Sequence, residues 1–404
     1  MSVRILDGIR LIEVADWGFV PSAGTVLGDW GADVIKVEHP VRGDPMRGLV
    51  TSGLVPGARG VNFFVEHLSR NKRSIGVDLN RPEGRAILDR LVRDADIFLT
   101  NFLPDARQRL RITYEDLRAI NPRLIYAKGH GQGQKGPDAG RGGYDGCSFW
   151  ARGGVADRLT TPGQPLVQQR PAFGDFTGGM FLAGGIAGAL FHRERTGEGI
   201  EVDVSLLGNA AWIMAPDIVA AMTYGFELPP SGATNAPNPL VHTYFAADGK
   251  GVVLMMLQSE RFWPIAARTL GCEALLADAR FDTPDKRQRE AAALVAELKA
   301  LFATRPRTEW AERLNASECI WAPLQSPAEI PADPQVIANG YVQEFDHPTQ
   351  GRFRVTASPV QFGNEAPAVR RAAQELGADT ETTLLEIGYT WEEIAAFKDA
   401  GAIC

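Results

Sequence analysis

"RLIEVADWGFVPSAGTVLGDWGADVIKVEH", residues 10–39, carries the reading of the fold. A short β-branched run, "RLIEVA", gives way to a helical pattern from Pro21 to Gly31, and a second run, "DVIKVEH", follows. Strand, crossover and strand in that order indicate a βαβ unit, because parallel neighbours need a connection long enough to bring the chain back to the same end of the sheet. The pattern continues outward through "SIGVDL", a helix starting at Pro82 behind Asn80 and Arg81, then "DIFLTN" and "LIYAKGHG". Proline suits the first turn of a helix. Alternation of this kind over the first 130 residues predicts an α/β fold with a parallel sheet.

Further along, the Gly/Pro-rich stretch between His39 and Arg70 reads as a long loop. Tyr144 to Val155 has a helical pattern, a loop runs to about Arg170, and a helix follows from about Asp175 to Arg195, closing at Gly197. The longest apolar stretch, Phe176 to Phe191, is shorter than the roughly 18 residues of a spanning helix and reads as a buried one. "IEVDVSLL" is a strand entering a helix, and "ELPPSGATNAPNP" has the composition of a linker. Beyond it, "YFAADGKGVVLMML" reads as two strands around an Asp-Gly turn, with helical patterns at Glu260–Leu270 and Lys286–Phe302. That suits a smaller α+β domain. After "PADPQ" come "YVQEFDHP", "GRFRVTASP" and two helical stretches, which pattern alone assigns to neither domain.

A chain of 404 residues with 45% hydrophobic residues has material for one large domain and a smaller one. The net charge of -7 and the lack of any long Arg/Lys run exclude nucleic acid and anionic membrane as partners. Asp7, Glu13 and Asp16 interrupt the N-terminal apolar pattern, which fits no secretory or transit peptide and predicts a cytoplasmic protein. Cys147, Cys272, Cys319 and Cys404 are widely spaced and read as free thiols. The scattered histidines form no metal-binding pattern, so no metal is expected.

Three features bear on chemistry. Gly131, Gly133 and Gly136 match the GxGxxG spacing, but Pro137, Asp138, Gly140, Gly142 and Gly143 continue as loop where a dinucleotide site would open a helix. Such a loop still offers backbone N–H groups to a phosphate or carbonyl. Basic residues cluster at Arg70, Lys72 and Arg73, at Arg42 and Arg47 around Asp44, and at Arg107, Arg109 and Arg111; near strand ends they favour a polyphosphate site over solvated surface charge. Finally, Asp175 stands in "FGDFTGGM", residues 173–180. It reads as a helix cap that stays ionised, at an ordinary pKa near ~3.9, or as an accessible nucleophile beside Gly174, Gly178 and Gly179. The two readings are compatible.

The stretches "LDGIRLIEVADWGFVPSAGTVLGDWGADVIKVEHPVRGDPMR", "NKRSIGVDLNRPEG", "NFLPDARQRL", "INPRLIYAKGHGQG", "GYDGCSFWARGG", "GDFTGGMFLAGGIAGAL", "RTGEGIEVDVSLL" and "YFAADGK" together resemble the family III CoA-transferases, the CaiB/BaiF family, in order over nearly the whole chain. The resemblance implies an interlocked homodimer. Each chain would have a Rossmann-like large domain from residues 1–224, a small α+β domain from 225–328, and a return of 329–404 to the large domain. It implies acyl-CoA and carboxylic acid substrates, and no cofactor beyond coenzyme A itself.

By the same resemblance Asp175 is the catalytic aspartate. Its attack on an acyl-CoA thioester would give a mixed anhydride and CoA thiolate; thiolate attack on the anhydride would free the first acid and leave an aspartyl-CoA thioester for the acceptor acid. The N–H groups of Gly174, Gly178 and Gly179 are the expected oxyanion donors, with Tyr144 close to substrate. Asp16, Trp17, Gly18 and Phe19 line the site, Asn101, Phe102 and Arg109 hold CoA, and Val77 approaches the adenine through its backbone. Where the family pattern has arginine this chain has His39, with Arg42 or Arg73 as substitutes at the phosphates. Racemases of the family carry a histidine where Tyr144 stands and a glutamate at the position of Ser259, beside Glu260, so transfer is favoured over racemisation; a phenol is a poor base at neutral pH. A non-catalytic CoA-binding protein, the reading from another class, would be expected to lose Asp175. The tetraglycine loop of formyl-CoA transferases is absent between Pro229 and Tyr244, so oxalate and formate are not expected substrates.

Overall fold

The computed structural model describes residues 3–49, 62–228 and 238–404. Residues 50–61 of the expected loop and 229–237 of the expected linker lie outside them. The chain divides into two compact units, the first comprising Met1–Thr160, Pro165–Leu228 and Gln335–Cys404, the second Thr161–Gln164 and Pro229–Pro334.

The first unit opens with β1 (Arg10–Val14), α1 (Phe19–Asp29), β2 (Asp33–Glu38), α2 (Phe63–Ser69), β3 (Lys72–Gly76), α3 (Pro82–Arg93) and β4 (Ile97–Thr100). It continues through α4 (Pro104–Arg109), α5 (Tyr114–Ile120), β5 (Ile125–His130), α6 (Val155–Leu159), α7 (Phe173–Thr196), β6 (Glu201–Ser205), α8 (Leu206–Ile213) and α9 (Ala215–Val219). The six strands form one sheet in the order β3-β2-β1-β4-β5-β6. Every pairing is parallel.

Neighbouring residues on a strand serve opposite faces. Leu11, Val34, Leu99 and Ala127 pack under α1 and α7, whereas Ile12, Ile35, Phe98 and Tyr126 pack under α3 and α5. Both faces are covered, as a parallel sheet requires.

The stretch read as an unbroken loop carries structure. Asp44 caps a 3₁₀ turn at Pro45–Gly48 by accepting the Met46 N–H, and Asn62 caps α2 by accepting from Val65. Capping side chains satisfy N–H groups that a short helix leaves unpaired. The apolar run read as a buried helix is buried on one side only: α7 seats Leu182, Ala183 and Ile186 on α1 and the sheet, while Phe181 and Phe191 are exposed. Among the described residues no single helix is long and apolar enough to cross a membrane; one bent pair, Leu206–Ile213 with Ala215–Tyr224, passes by length and composition.

The second unit has β7 (Val241–Phe245), β8 (Gly251–Met255), α10 (Ser259–Leu270), α11 (Pro284–Arg289), α12 (Ala291–Phe302), α13 (Arg307–Asn315) and β9 (Trp321–Leu324). Its strands form an antiparallel sheet, β7-β8-β9, over a core in which Tyr244 stacks on Phe302 at 4.8 Å. The helix expected over Lys286–Phe302 is interrupted at Glu290, between α11 and α12.

The chain then forms α14 (Pro334–Ala338), the hairpin β10 (Val342–His347) and β11 (Gly351–Thr356), α15 (Thr380–Glu386) and α16 (Trp391–Asp399). Leu384, Ile394 and Ile403 join the core beneath α3. Asp379 accepts the Ser74 N–H at 2.9 Å, tying this last segment to β3.

Candidate active site

A cavity of about 530 Å³ opens where the strands of the first unit end. Val14 closes β1, Glu38 closes β2, Val77 follows β3, Asn101 follows β4, His130 closes β5 and Leu206 follows β6; all line it. The strand order reverses between β1 and β4, and a crevice outside the carboxyl ends at such a switch point is where open α/β sheets bind ligands.

The elbow from β1 into α1 is held from several sides. Asn101 clamps Asp16, accepting its N–H at 3.1 Å and donating to its carbonyl at 2.6 Å. Trp17 adopts the left-handed region, φ 67°, which costs a bulky residue roughly 1–2 kcal/mol. Its N–H donates to Asp44 Oδ1 at 3.0 Å, and its ring meets Tyr144 edge-on at 5.6 Å. Gly18 then starts α1 without a side chain, beside first-turn N–H groups that have no helical acceptor.

Beneath the elbow lies a buried ion cluster. Glu13 sits between Lys36 at 3.1 Å and Lys72 at 2.7 Å, and Lys36 also meets Asp44 at 2.9 Å. Burial pulls the Lys72 pKa down to about 8, whereas Asp44, Glu13 and Glu38 outweigh burial at Lys36 and raise it. Burial alone would raise Glu38, but its pair with Arg47 at 2.7 Å and the nearby Lys36 hold it at about 2. Asp16, at the cavity wall, is pushed up to about 7 by burial and by Asp44, with Lys36 opposing.

Asp175 does not cap its helix. The N-cap of α7 is Ala172, itself left-handed, and Asp175 is the third residue of the first turn. The capping role falls to Asp145, both of whose carboxylate oxygens accept the Gly174 N–H at 3.1 Å. Asp175 is thereby released, and among the described residues its carboxylate accepts no hydrogen bond from a side chain or backbone group. Its Oδ2 lies 2.5 Å from the point a Cβ on Gly18 would occupy. The expectation of an ordinary pKa fails: burial, and then the charge of Asp145, raise Asp175 to about 7.

Of the residues expected at the site, Asp16, Trp17, Gly18, Phe19, His39, Arg42, Val77, Asn101, Phe102, Arg109, Tyr144 and Asp175 all line this one cavity. Arg73 does not reach it, because its guanidinium is spent on Asp33 and Glu386, both at 2.6 Å. Arg70, Lys72 and Arg47 are likewise consumed by Asp29, Glu13 and Glu38. Arg42 and Arg109 are exposed and, among the described residues, make no ion pair.

Gly174, Gly178 and Gly179 also lie outside the lining. The Gly174 N–H is taken by Asp145, and those of Gly178 and Gly179 fall in the second turn of α7, where a helix uses them internally. These two glycines serve close packing: a Cβ at Gly178 would come 2.6 Å from Phe19 Cε2, and one at Gly179 would overlap Ser22 Oγ. Glu260 and Ser259 belong to α10 of the second unit and do not line this cavity.

Three lining or supporting residues were not singled out from sequence. Asp145 caps α7, Arg141 adds a cation to the wall, and His130 lines the cavity with Asp203 as its hydrogen-bond partner. His130 is the last residue of β5, the one residue of that strand that is not fully buried. The segment from Gly131 to Gly143 contains no helix, in keeping with the rejection of a dinucleotide site there.

The fold is thus an α/β protein whose parallel sheet carries a cationic cavity at its switch point, with a carboxylate free of helix duty on the cavity wall. The family model for CoA-transferase family III matches residues 6–380, and the chain belongs to that family and is a CoA-transferase. It is 30% identical to the (R)-2-hydroxy-4-methylpentanoate CoA-transferase of Clostridioides difficile, over 99% of each chain. It is 31% identical to the cinnamoyl-CoA:phenyllactate CoA-transferase of Clostridium sporogenes, over 97% of this chain and 96% of the relative. Among solved structures, a CaiB/BaiF family protein from Brucella suis superposes with a TM-score of 0.83 at 29% identity, over 96% of this chain and 100% of that one.

Proposed function

We propose that the enzyme moves CoA from an acyl-CoA to an acceptor carboxylic acid through a covalent aspartyl-CoA thioester on Asp175. The observation that carries this reading is the Asp175 carboxylate itself, relieved of capping by Asp145 and opening on the cavity against Gly18. Ionised, it attacks the thioester carbonyl; the carbon–sulfur bond breaks and CoA leaves as thiolate. The thiolate returns to the Asp175 carbonyl of the mixed anhydride, releasing the donor acid. The acceptor acid then attacks the aspartyl thioester, CoA thiolate leaves and attacks the new anhydride at the acceptor's carbonyl, and the Asp175 carboxylate is regenerated.

The N–H groups of the α7 glycines are engaged elsewhere, so the oxyanion role passes to the N–H groups at the start of α1, those of the N-cap Gly18 and of Phe19, which have no acceptor among the described residues. Arg42 and Arg109 supply charge for the CoA phosphates, and Phe102 and Val77 provide apolar surface for its adenine or pantetheine. Trp17, Phe19 and Tyr144 favour an acid with a bulky, apolar or aromatic body. In this reading CoA is substrate and product and no further cofactor takes part. The large domain of 1–224 and 329–404 binds CoA, the small domain of 225–328 completes the fold, two chains interlock, and the enzyme works in the cytoplasm.

The test is intact-protein and peptide mass spectrometry after incubation with a panel of acyl-CoAs in deuterated buffer. A CoA-sized adduct on Asp175 is the expected result. Deuterium at the α-carbon of recovered thioester with no adduct would overturn it in favour of racemisation, for which His130, already paired with Asp203 in the cavity, is a better placed base than Tyr144.

A further inference from the structure

The second unit has a cavity of its own, about 230 Å³, lined by Leu240, Leu257, Trp263 and Leu294 on its apolar side. Arg287 also lines it and is only 7% exposed. One of its N–H groups donates to the Phe281 carbonyl at 2.9 Å. Among the described residues no carboxylate pairs with it: Glu260 and Asp282 act on it only through space, and Asp282 is already bound to Lys286 at 2.8 Å. Burial accordingly pulls its pKa down. A buried guanidinium whose nearest carboxylates act only through space, without a direct ion pair, is costly to desolvate.

Other donors converge on the same space. Trp263, 2% exposed, has an indole N–H without an acceptor among the described residues, and its ring centre lies 5.7 Å from the Arg287 guanidinium carbon. Ser259 lines the cavity at the start of α10, a helix of 12 residues whose N-cap, Gln258, makes no side-chain cap bond. The Ser259 N–H is already donated to the Leu257 carbonyl at 3.1 Å, but the helix dipole and the next N–H groups of the first turn still favour an anion. Asp285 also lines the cavity and Glu260 stands in the first turn of α10, so a dianion such as phosphate would meet repulsion. The donors suit a single negative charge, and the walls suit a small apolar body.

We propose that this pocket binds a small monocarboxylate, its carboxylate held by Arg287 and its apolar body packed on Trp263, Leu240 and Leu294. A guanidinium fork matches a carboxylate in two parallel hydrogen bonds, which a lysine cannot reproduce. The site belongs to the second unit alone and does not depend on the chemistry of Asp175.

The test labels the full chain with 5-fluorotryptophan, assigns the Trp263 resonance with Trp263→Phe, and titrates with benzoate, isovalerate, benzamide and inorganic phosphate. Either acid should move the Trp263 resonance saturably, while benzamide and phosphate should not. Arg287→Met should weaken binding at least ~10-fold, the scale of losing a charge-assisted hydrogen bond, and Asp175→Asn should leave it unchanged. If Arg287→Met fails to fold by circular dichroism, Arg287→Lys carries the comparison and should weaken binding several-fold. A stationary Trp263 resonance with both acids, an equal response to benzamide, or affinity untouched by the Arg287 substitution would overturn the proposal. Loss of turnover in Asp175→Asn with this binding intact separates it from the reading of the active site.

Discussion

Asp175 Oδ2 lies 2.5 Å from the point that a Cβ on Gly18 would occupy, so the carboxylate rests where the neighbouring helix has no side chain. The two residues come from the starts of α7 and α1, and Ser22 links the same helices by donating to the Phe19 and Asp175 carbonyls at 2.7 and 3.2 Å. Any side chain at position 18 must therefore move the carboxylate.

Gly18→Ala is expected to displace Asp175 while leaving the cationic wall intact. A misplacement of about 1 Å can cost on the order of 10²-fold in rate. We expect kcat for acyl transfer to fall by that order with CoA affinity by calorimetry largely retained. Wild-type kcat in the variant would show that the seat on Gly18 is not used in the reaction.

The pH dependence follows from the two causes acting on Asp175. Its pKa is raised to about 7 by burial and by Asp145, and only the ionised form is a nucleophile. Consequently kcat/KM should climb as pH rises through about 7 and level off above it. Asp145→Asn removes the second cause while still offering an oxygen to the Gly174 N–H, so the midpoint should move to lower pH. Stability runs the other way. Below pH ~3 the group is largely protonated in folded and unfolded chains alike, whereas above pH 7 the fold must bury a charge, a penalty on the order of a few kcal/mol for a rise of this size. Asp175→Asn should thus raise the thermal midpoint at pH 8 by more than at pH ~3, where it should be nearly unchanged; an equal shift at both would contradict the assignment.

The contrast between Arg73 and Arg109 illustrates which parts of this molecule are legible in sequence. Strand and helix periods mark β1 through β5 and α7 because each element carries its own pattern of burial. Charge does not. Arg70, Lys72 and Arg73 look like free cations because Asp29, Glu13 and Asp33 lie 41, 59 and 40 residues away and are brought beside them only by tertiary folding, through the α1–α2 contact for Asp29 and through the sheet for Glu13 and Asp33. Asp145 escapes notice for the same reason: its partner, the Gly174 N–H, is 29 residues on. Local reasoning offered Asp175 either a capping role or that of an accessible nucleophile, and the resemblance favoured the second; the capping role is the one Asp145 fills.

Because Arg42 and Arg109 keep exposed guanidinium groups on the cavity, each is expected to contribute to binding of the CoA phosphates. A charge-assisted hydrogen bond contributes about 1.5–3 kcal/mol. Arg109→Ala should weaken CoA binding by roughly 10- to 100-fold at low salt, and Arg73→Ala should leave it unchanged. Calorimetry on both variants decides this, and equal affinity for wild type and Arg109→Ala would remove Arg109 from the phosphate site.

The buried cluster under the elbow offers the sharpest stability test. Glu13 neutralises Lys36 and Lys72 together, and all three are almost inaccessible to water. Glu13→Gln keeps the shape and removes the charge, which for a buried pair costs about 3–5 kcal/mol. Lys72 already has a pKa drawn down to about 8, so in the variant it should shed its proton more readily. A lysine whose folded pKa is depressed is unfavourable while charged in the fold, and that penalty fades as pH rises through the folded pKa. The loss measured by urea unfolding should therefore be larger at pH 6 than at pH 9. Adding Lys72→Met should recover part of it, because the second uncompensated charge is then gone. Strictly additive losses in the double variant, equal at both pH values, would mean that Glu13 and Lys72 do not act as a pair.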